Sequence, residues 1–422
     1  MSKINKYIKR SVKYVQKKYV KNVIKKIIPN NILPKINIIP TDLKFKTKKN
    51  YNFNTLKIFE LLFKKKITQF TFDDDLTDIP KFKFDSNKKY KPLNCNIKNL
   101  DDLIKLGESY DLKLKDEYPI DMEKLFNLIE PLKELKQTIG MKQVKNNIIN
   151  QIIYFLQDLD DEKNMMHTVI TGPPGVGKSL LGYLLSKIYY KMGIIKGSNS
   201  KKFINPITGE KENFKFNIVR RSDLIGEYVG HTAVKTQKVI NDSLGGVLFI
   251  DEAYSLGNSE KKDIYSKECI DTINQNLTEN KGNFICIIAG YKDELEKCFF
   301  NYNKGLARRF VFRYNIDSYN SSELCKILIK KINDNNWNLD SSLKEKEINS
   351  FFEKNMNNFP HYGGDVELLF LSCKIAHSLR IFGKDPKLRK NINIKDIETG
   401  FELFISHKKE KENTSIINNM YI

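Results

Sequence analysis

The residues Gly172-Pro173-Pro174-Gly175-Val176-Gly177-Lys178-Ser179 fit the spacing GxxxxGK followed by Ser or Thr. Such a loop can hold phosphate. Its glycines let successive backbone N–H groups curl round the oxygens, and the N-terminus of a following helix adds partial positive charge. Lys178 would reach the β- and γ-phosphates of a nucleotide, and the Ser179 hydroxyl would ligate Mg²⁺. Pro173, Pro174, Gly175, Val176, Gly177, Lys178, Ser179 and Leu180 are therefore the expected nucleotide contacts. A second chemical element is Val247-Leu248-Phe249-Ile250-Asp251-Glu252. Four apolar residues predict a buried strand, and two carboxylates emerge at its C-terminal end, where ligands bind in α/β sheets. Asp251 would hold Mg²⁺, directly or through water. Glu252 would polarise the attacking water as a general base. The chemistry implied is hydrolysis of a nucleoside triphosphate.

Strands and helices must position these groups. β-type runs at 167–171, 216–220, 246–251, 284–290 and 310–316 alternate with helical segments. Five strands separated by helices predict an α/β fold with a parallel, doubly wound sheet. The phosphate loop falls between the first run and a helix predicted over 179–191. Residues 132–160 carry a helical pattern. Residues 319–410 are mostly helical by period and predict a separate helical domain. The predicted organisation is a basic arm over 1–66, a small N-terminal domain or linker over 67–125, a nucleotide-binding domain over 126–318, the helical domain over 319–410 and a tail over 411–422. No internal repeat is present.

Composition narrows the classes further. Hydrophobic residues make up 40% of the 422, which excludes disorder of the whole chain. No apolar run reaches about 18 residues, so no spanning helix is expected. Lys residues interrupt every apolar stretch near the N-terminus, so no secretory signal is visible, and a soluble intracellular protein is expected. The six Cys form no CxxC pair, and the five His lack a spacing such as HExxH. Both facts argue against a disulfide framework or a structural zinc. The net charge of +21 is uneven: residues 1–66 hold 19 Lys/Arg against Asp42 and Glu60, and the remainder carries only +4. In that arm Ile4, Ile8, Val12, Val15, Tyr19, Val23 and Ile27 recur at helical steps between Lys residues, which predicts an amphipathic basic helix ending near Pro29. Such asymmetry points to a polyanion, either nucleic acid or an anionic membrane surface. Coding bias contributes too, since the chain has 64 Lys and 8 Arg, yet the same bias leaves the remainder balanced.

Residues 139–316 resemble an AAA+ ATPase of the CbbX and stage V sporulation protein K group. The matching phrases are GPPGVGKS (172–179), DLIGEYVGHTAVKT (223–236), GGVLFIDEAYSL (245–256), AGYKDE (289–294) and GLARRF (305–310). The phrase CKIAHSLR (373–380) looks like members carried by large DNA viruses. The resemblance implies an AAA+ P-loop sheet with a C-terminal helical lid, ATP and Mg²⁺ as ligands, and a ring, a hexamer, of identical subunits. Ile139-Gly140 resembles the hydrophobic element that brackets the adenine. Arg308 and Arg309 resemble the arginine fingers that enter a neighbouring subunit's site, where a guanidinium offsets transition-state charge. Tyr228, beside Val229 and between Gly226 and Gly230, resembles the pore-loop aromatic that grips a polypeptide. Tyr291 follows the fourth strand, where other AAA+ proteins often carry Asn or Thr. The lid arginine expected near Gly363-Gly364-Asp365 is missing.

The expected function is therefore an ATP-hydrolysing ring motor that remodels a protein substrate through the Tyr228 loop. The alternative is an ATP-dependent, nucleic-acid-associated switch or assembly factor that binds through residues 1–66.

Overall fold

Each apolar run forms a strand whose side chains alternate between the two faces of a sheet, as the two-residue period of a pleated strand dictates. Both faces are buried in the central strands, whereas the last run exposes Val311, Arg313 and Asn315. In this computed structural model residues 84–420 are described, apart from 86, 112–116, 160–164, 198–201, 229, 259, 261 and 304, with backbone alone for 410–420. Four helices come first: α1 (Leu100–Glu108), α2 (Met122–Asn127), α3 (Ile129–Gln137) and α4 (Lys142–Leu156). Strand β1 (His167–Thr171) leads through the glycine-rich loop into α5 (Lys178–Lys191). A small hairpin, β2 (Phe203–Ile204) and β3 (Lys211–Glu212), precedes β4 (Phe216–Val219), α6 (Arg221–Leu224) and α7 (His231–Ser243). Then follow β5 (Val247–Ile250), α8 (Ile264–Glu279), β6 (Ile285–Gly290), α9 (Lys292–Cys298), α10 (Leu306–Arg309) and β7 (Phe310–Asn315). The lid region contains α11 (Ser321–Asp334), β8 (Asn338–Leu339), α12 (Glu345–Asn355), α13 (Gly363–Ile381), β9 (Asn391–Ile392) and α14 (Ile394–Met420).

The five main strands pair in the order β4-β5-β6-β1-β7, every pair parallel. The chain leaves β1 toward the β4 edge and leaves β6 toward β7. The crevice between the ends of β1 and β6 is therefore the switch point at which such sheets bind ligands. Ile170, Phe249 and Ile287 face one core, and Val169, Leu248 and Ile288 face the other.

The N-terminal half adds detail to two sequence expectations. Residues 67–125, expected as a small domain or linker, pack into the main body where they are described. Leu100, Leu103 and Leu125 share one continuous core with Leu132, Leu185 and the lid residue Leu328, and Lys81–Ile422 is one compact unit. The buried ammonium of Lys187 on α5 adds a polar tie, bonding Glu134 of α3 at 2.6 Å. The helical pattern over 132–160 is broken, because Gly140 and Met141 adopt left-handed backbone (φ 68° and 58°) between α3 and α4. The basic arm and its helical pattern over 4–27 lie outside the described residues.

Two buried histidines of the body are structural. In the lid, Arg380 grips Asp396 with two nitrogens at 2.7 and 2.8 Å, and His377 adds a third contact at 3.0 Å. Burial alone would raise the Asp396 pKa, but these bonds hold it below the ordinary carboxylate value. His377 and Arg380 thus lock α13 to the start of α14. At the start of β1, His167 accepts the Cys286 N–H through Nδ1 at 3.0 Å and donates from Nε2 to the Leu277 carbonyl at 3.2 Å. Burial pushes its pKa from 6.5 down to about 4. The unfolded chain then binds a proton that the folded one rejects, so stability falls as pH drops from 6.5 toward 4. Thermal unfolding across that window should show a loss in the parent, relative to His167→Gln, of about 2–4 kcal/mol. Parallel pH profiles for the two proteins would contradict the neutral, doubly bonded imidazole.

Candidate active site

Between β1 and α5 the chain turns back through Gly175 (φ 72°) and Gly177 (φ 90°), left-handed conformations that favour glycine. Space matters as much as conformation. A Cβ on Gly175 would stand 1.9 Å from the His361 carbonyl oxygen. The Gly363 N–H donates to the Gly175 carbonyl at 3.1 Å, so the first turn of α13 is clasped to the loop. Lys178 Nζ donates to the Gly172 and Pro173 carbonyls at 3.0 and 2.8 Å. It also lies 5.1 Å from the Tyr291 ring centroid, a cation–π distance. Burial lowers the Lys178 pKa, while Asp251 and Glu252 oppose that shift.

The four residues of β5 are fully buried, and the Asp251 N–H donates to the Val219 carbonyl at 2.9 Å. This aligns the ends of β4 and β5. Glu252 holds a left-handed backbone (φ 51°, ψ 45°), uncommon for a non-glycine and typical of functional strain. Its exposed carboxylate bonds to no described residue, so it can engage a water. Next to it, Tyr254 stacks on Tyr291 with ring centroids 5.3 Å apart. Burial, helped by Glu252, pushes the Tyr254 pKa to about 12, so the phenol keeps its proton.

One open cavity of ≈ 630 Å³ gathers Ile139, Pro174, Gly175, Gly177, Lys178, Ser179, Leu180, Asp251, Glu252 and Tyr291. Three expected contacts stand behind it. The Pro173 carbonyl is taken by Lys178, Val176 is fully buried with its carbonyl accepting from Tyr319 at 2.8 Å, and Gly140 packs on the Tyr319 ring. Tyr291 presents its ring face to Lys178 in this arrangement. The donor set fits Mg²⁺: one hydroxyl and one carboxylate, both hard oxygens, beside a phosphate loop. No cluster of three or more His, Cys, Asp or Glu that could cage a metal occurs among the described residues, consistent with an ion held largely by phosphates and water.

The two arginines of α10 lie elsewhere. Phe310, which follows Arg309, pairs with His167 at the start of β1, whereas the phosphate loop leaves the far end at Thr171. A five-residue strand separates the two levels by about 13 Å. Arg309 donates to Thr278 Oγ1 at 2.8 Å and to the Gly305 carbonyl at 2.9 Å, while exposed Arg308 bonds to no described residue. Tyr228 is 64% exposed, with only the His231 ring against it at 5.4 Å. Val229 lies outside the described residues.

Sequence reading missed the lid's share of the cavity: Tyr319, just before α11, Ile327, Lys330 and Lys331 on α11, and Glu367 on α13 line it. Their only signal was helical spacing in a region already assigned to the lid. Gly363 and Gly364 also line the cavity, and the lid's cations there are Lys330 and Lys331 rather than arginine. Among the described residues no helix is long and apolar enough to cross a membrane.

Comparison with known proteins agrees with this geometry. A model of the ATPase family associated with various cellular activities (AAA) matches residues 168–317. The chain is 45% identical over 335 residues to a putative cfxQ-like protein of Acanthamoeba polyphaga mimivirus, covering 78% of this chain and 77% of that one. It is 32% identical over 221 residues to stage V sporulation protein K of Bacillus subtilis, covering 51% of this chain and 63% of that one. Identity to a CfxQ homolog of Galdieria sulphuraria is 30% over 303 residues, covering 69% of this chain and 92% of that one.

Proposed function

Because this chain belongs to the AAA+ ATPases of the CbbX and stage V sporulation protein K group, and so hydrolyses ATP, we propose that it works as a ring motor that remodels a protein substrate. One observation carries the reading. The cavity gathers the phosphate loop, Asp251 and Glu252, and among the described residues no arginine lines it; Arg220 stands only at its edge beside Asp251, while Arg308 and Arg309 stand at the opposite end of the sheet. A neighbouring copy would supply them. A row of exposed apolar residues on α13 (Leu368, Leu371, Ile375 and Leu379), continued by Phe382 at its C-cap, offers a surface for such assembly.

In this mechanism Lys178 leaves the loop carbonyls for the β- and γ-phosphates, and the backbone N–H groups of the loop bind the same oxygens. Ser179 and Asp251 would hold Mg²⁺, which when bound offsets phosphate charge. Glu252 polarises the water that attacks the γ-phosphorus. The neighbour's guanidinium stabilises the charge that develops as the bond to the β-phosphate oxygen breaks. Ile139 and Met141, with Ile327 from the lid, give the base an apolar slot.

Tyr228 begins the work on substrate, as an exposed aromatic just before α7. Tyr228→Ala should leave basal ATP hydrolysis within about twofold of the parent, because the loop touches no nucleotide, yet abolish stimulation by unfolded polypeptide. The charge of residues 1–66 supports a second reading, contact with nucleic acid or an anionic membrane through that arm. Stimulation of the parent by nucleic acid and not by polypeptide would overturn the motor in favour of that switch.

A further inference from the structure

We propose that Arg220 is an exchangeable counter-ion of Asp251, occupying the carboxylate until the metal displaces it and so setting the Mg²⁺ concentration that ATP binding requires. The inference rests on Asp251 being the metal carboxylate. Val219 pairs with Ile250 in the parallel register, so the residues that follow, Arg220 and Asp251, emerge side by side. Arg220 Nη2 stands 3.6 Å from Asp251 Oδ2, close enough for an ion pair and too far for a tight hydrogen bond. The Arg220 side chain is 69% exposed, against 18% for Asp251.

The next residue shows what a fixed arginine looks like in the same place. Arg221 donates to the Ser255 carbonyl at 2.7 Å, to Ser266 Oγ at 3.1 Å and to Asp263 at 2.7 Å. Arg220 has no such bonds from its guanidinium. Among the described residues its one ion pair is with the carboxylate the metal needs. Among the described residues Asp251 has no other close ion pair; Lys178 acts on it only through space, its ammonium bonding the Gly172 and Pro173 carbonyls. A largely buried carboxylate left without counter-charge is costly, so Arg220 keeps it compensated and aligned while the site is empty of metal. A divalent ion held by Asp251, directly or through water, would carry twice the charge of the guanidinium and so compete with it. Arg220 is thus a positioning residue that competes with the metal rather than a group that touches the reacting atoms.

The test measures binding, not turnover. In the full chain carrying Glu252→Gln, binding of a fluorescent ATP analogue is titrated with Mg²⁺ and the midpoint recorded. Arg220→Ala and Arg220→Gln should each lower the midpoint about two- to fivefold, the range an exposed ion pair supports. Arg220→Lys, which keeps the charge, should stay near the parent. Asp251→Asn in the same assay should raise the midpoint at least about tenfold if that carboxylate holds the metal. No change with Asp251→Asn would sink the metal assignment itself. A raised midpoint there, together with an unchanged or raised midpoint for the neutral Arg220 variants, would overturn the counter-ion alone.

Discussion

Replacing Arg308 and Arg309 together with Ala should cut ATP turnover by about 10³-fold or more, at the low end of what an arginine finger contributes. ATP binding should change by less than about threefold, because the contact matters most in the transition state. The reasoning is geometric. Residue 310 lies level with His167, while the phosphates of the same subunit would lie beyond Thr171. An arginine side chain cannot span that distance and the intervening strand. Removing Arg308 disturbs no described bond, and removing Arg309 costs two hydrogen bonds on a half-buried turn. The fold should therefore survive, which a thermal scan checks. Phosphate release and equilibrium binding, measured on the same preparation, separate the two effects. Near-parental turnover in the double variant would remove the fingers from the account.

Glu252→Gln should bind ATP at least as well as the parent and hydrolyse it ~10²-fold or more slowly, the scale expected for loss of a general base. The amide keeps the size and the left-handed backbone turn but cannot accept a proton. Asp251, one residue earlier, cannot substitute, because it faces Arg220 and the metal position. Single-turnover hydrolysis checks this directly, since product release does not limit it. Hydrolysis at the parental rate would move the base elsewhere.

Much of the sheet and of the phosphate site was legible in the sequence, for physical reasons. A strand buried on both faces reads as a short apolar run, and all five runs lie within a residue or so of the observed strands. The phosphate loop is local: its backbone, Lys178 and Ser179 are contiguous in the chain. The lid contribution is not local. Glu367 lines the cavity from α13, whose first turn packs on the loop at Gly175 where a Cβ would clash, while Lys330 and Lys331 come from α11, far along the chain. The break at Gly140 and Met141 was hidden by apolar residues on both sides that keep a helical period. The small domain or linker expected over 67–125 was inferred from a change in charge. Charge describes the solvent face of α1 and α2, whereas Leu100, Leu103 and Leu125 decide what they pack on. Arg220 had no motif at all. Its place beside Asp251 follows from strand register, which local sequence does not reveal.

The central claim is that each site is completed by a neighbour, and mixing two inactive variants tests it most directly. Lys178→Ala subunits keep Arg308 and Arg309 but lose the phosphate-binding ammonium. Subunits lacking both arginines keep Lys178, Asp251 and Glu252. Mixed in equal amounts, they should recover ATP hydrolysis well above the sum of the two alone, because interfaces pairing an intact Lys178 with an intact Arg308 and Arg309 then form. A mixture that hydrolyses no more than the sum of its parts, under conditions where the two variants demonstrably co-assemble, would contradict a site shared between subunits.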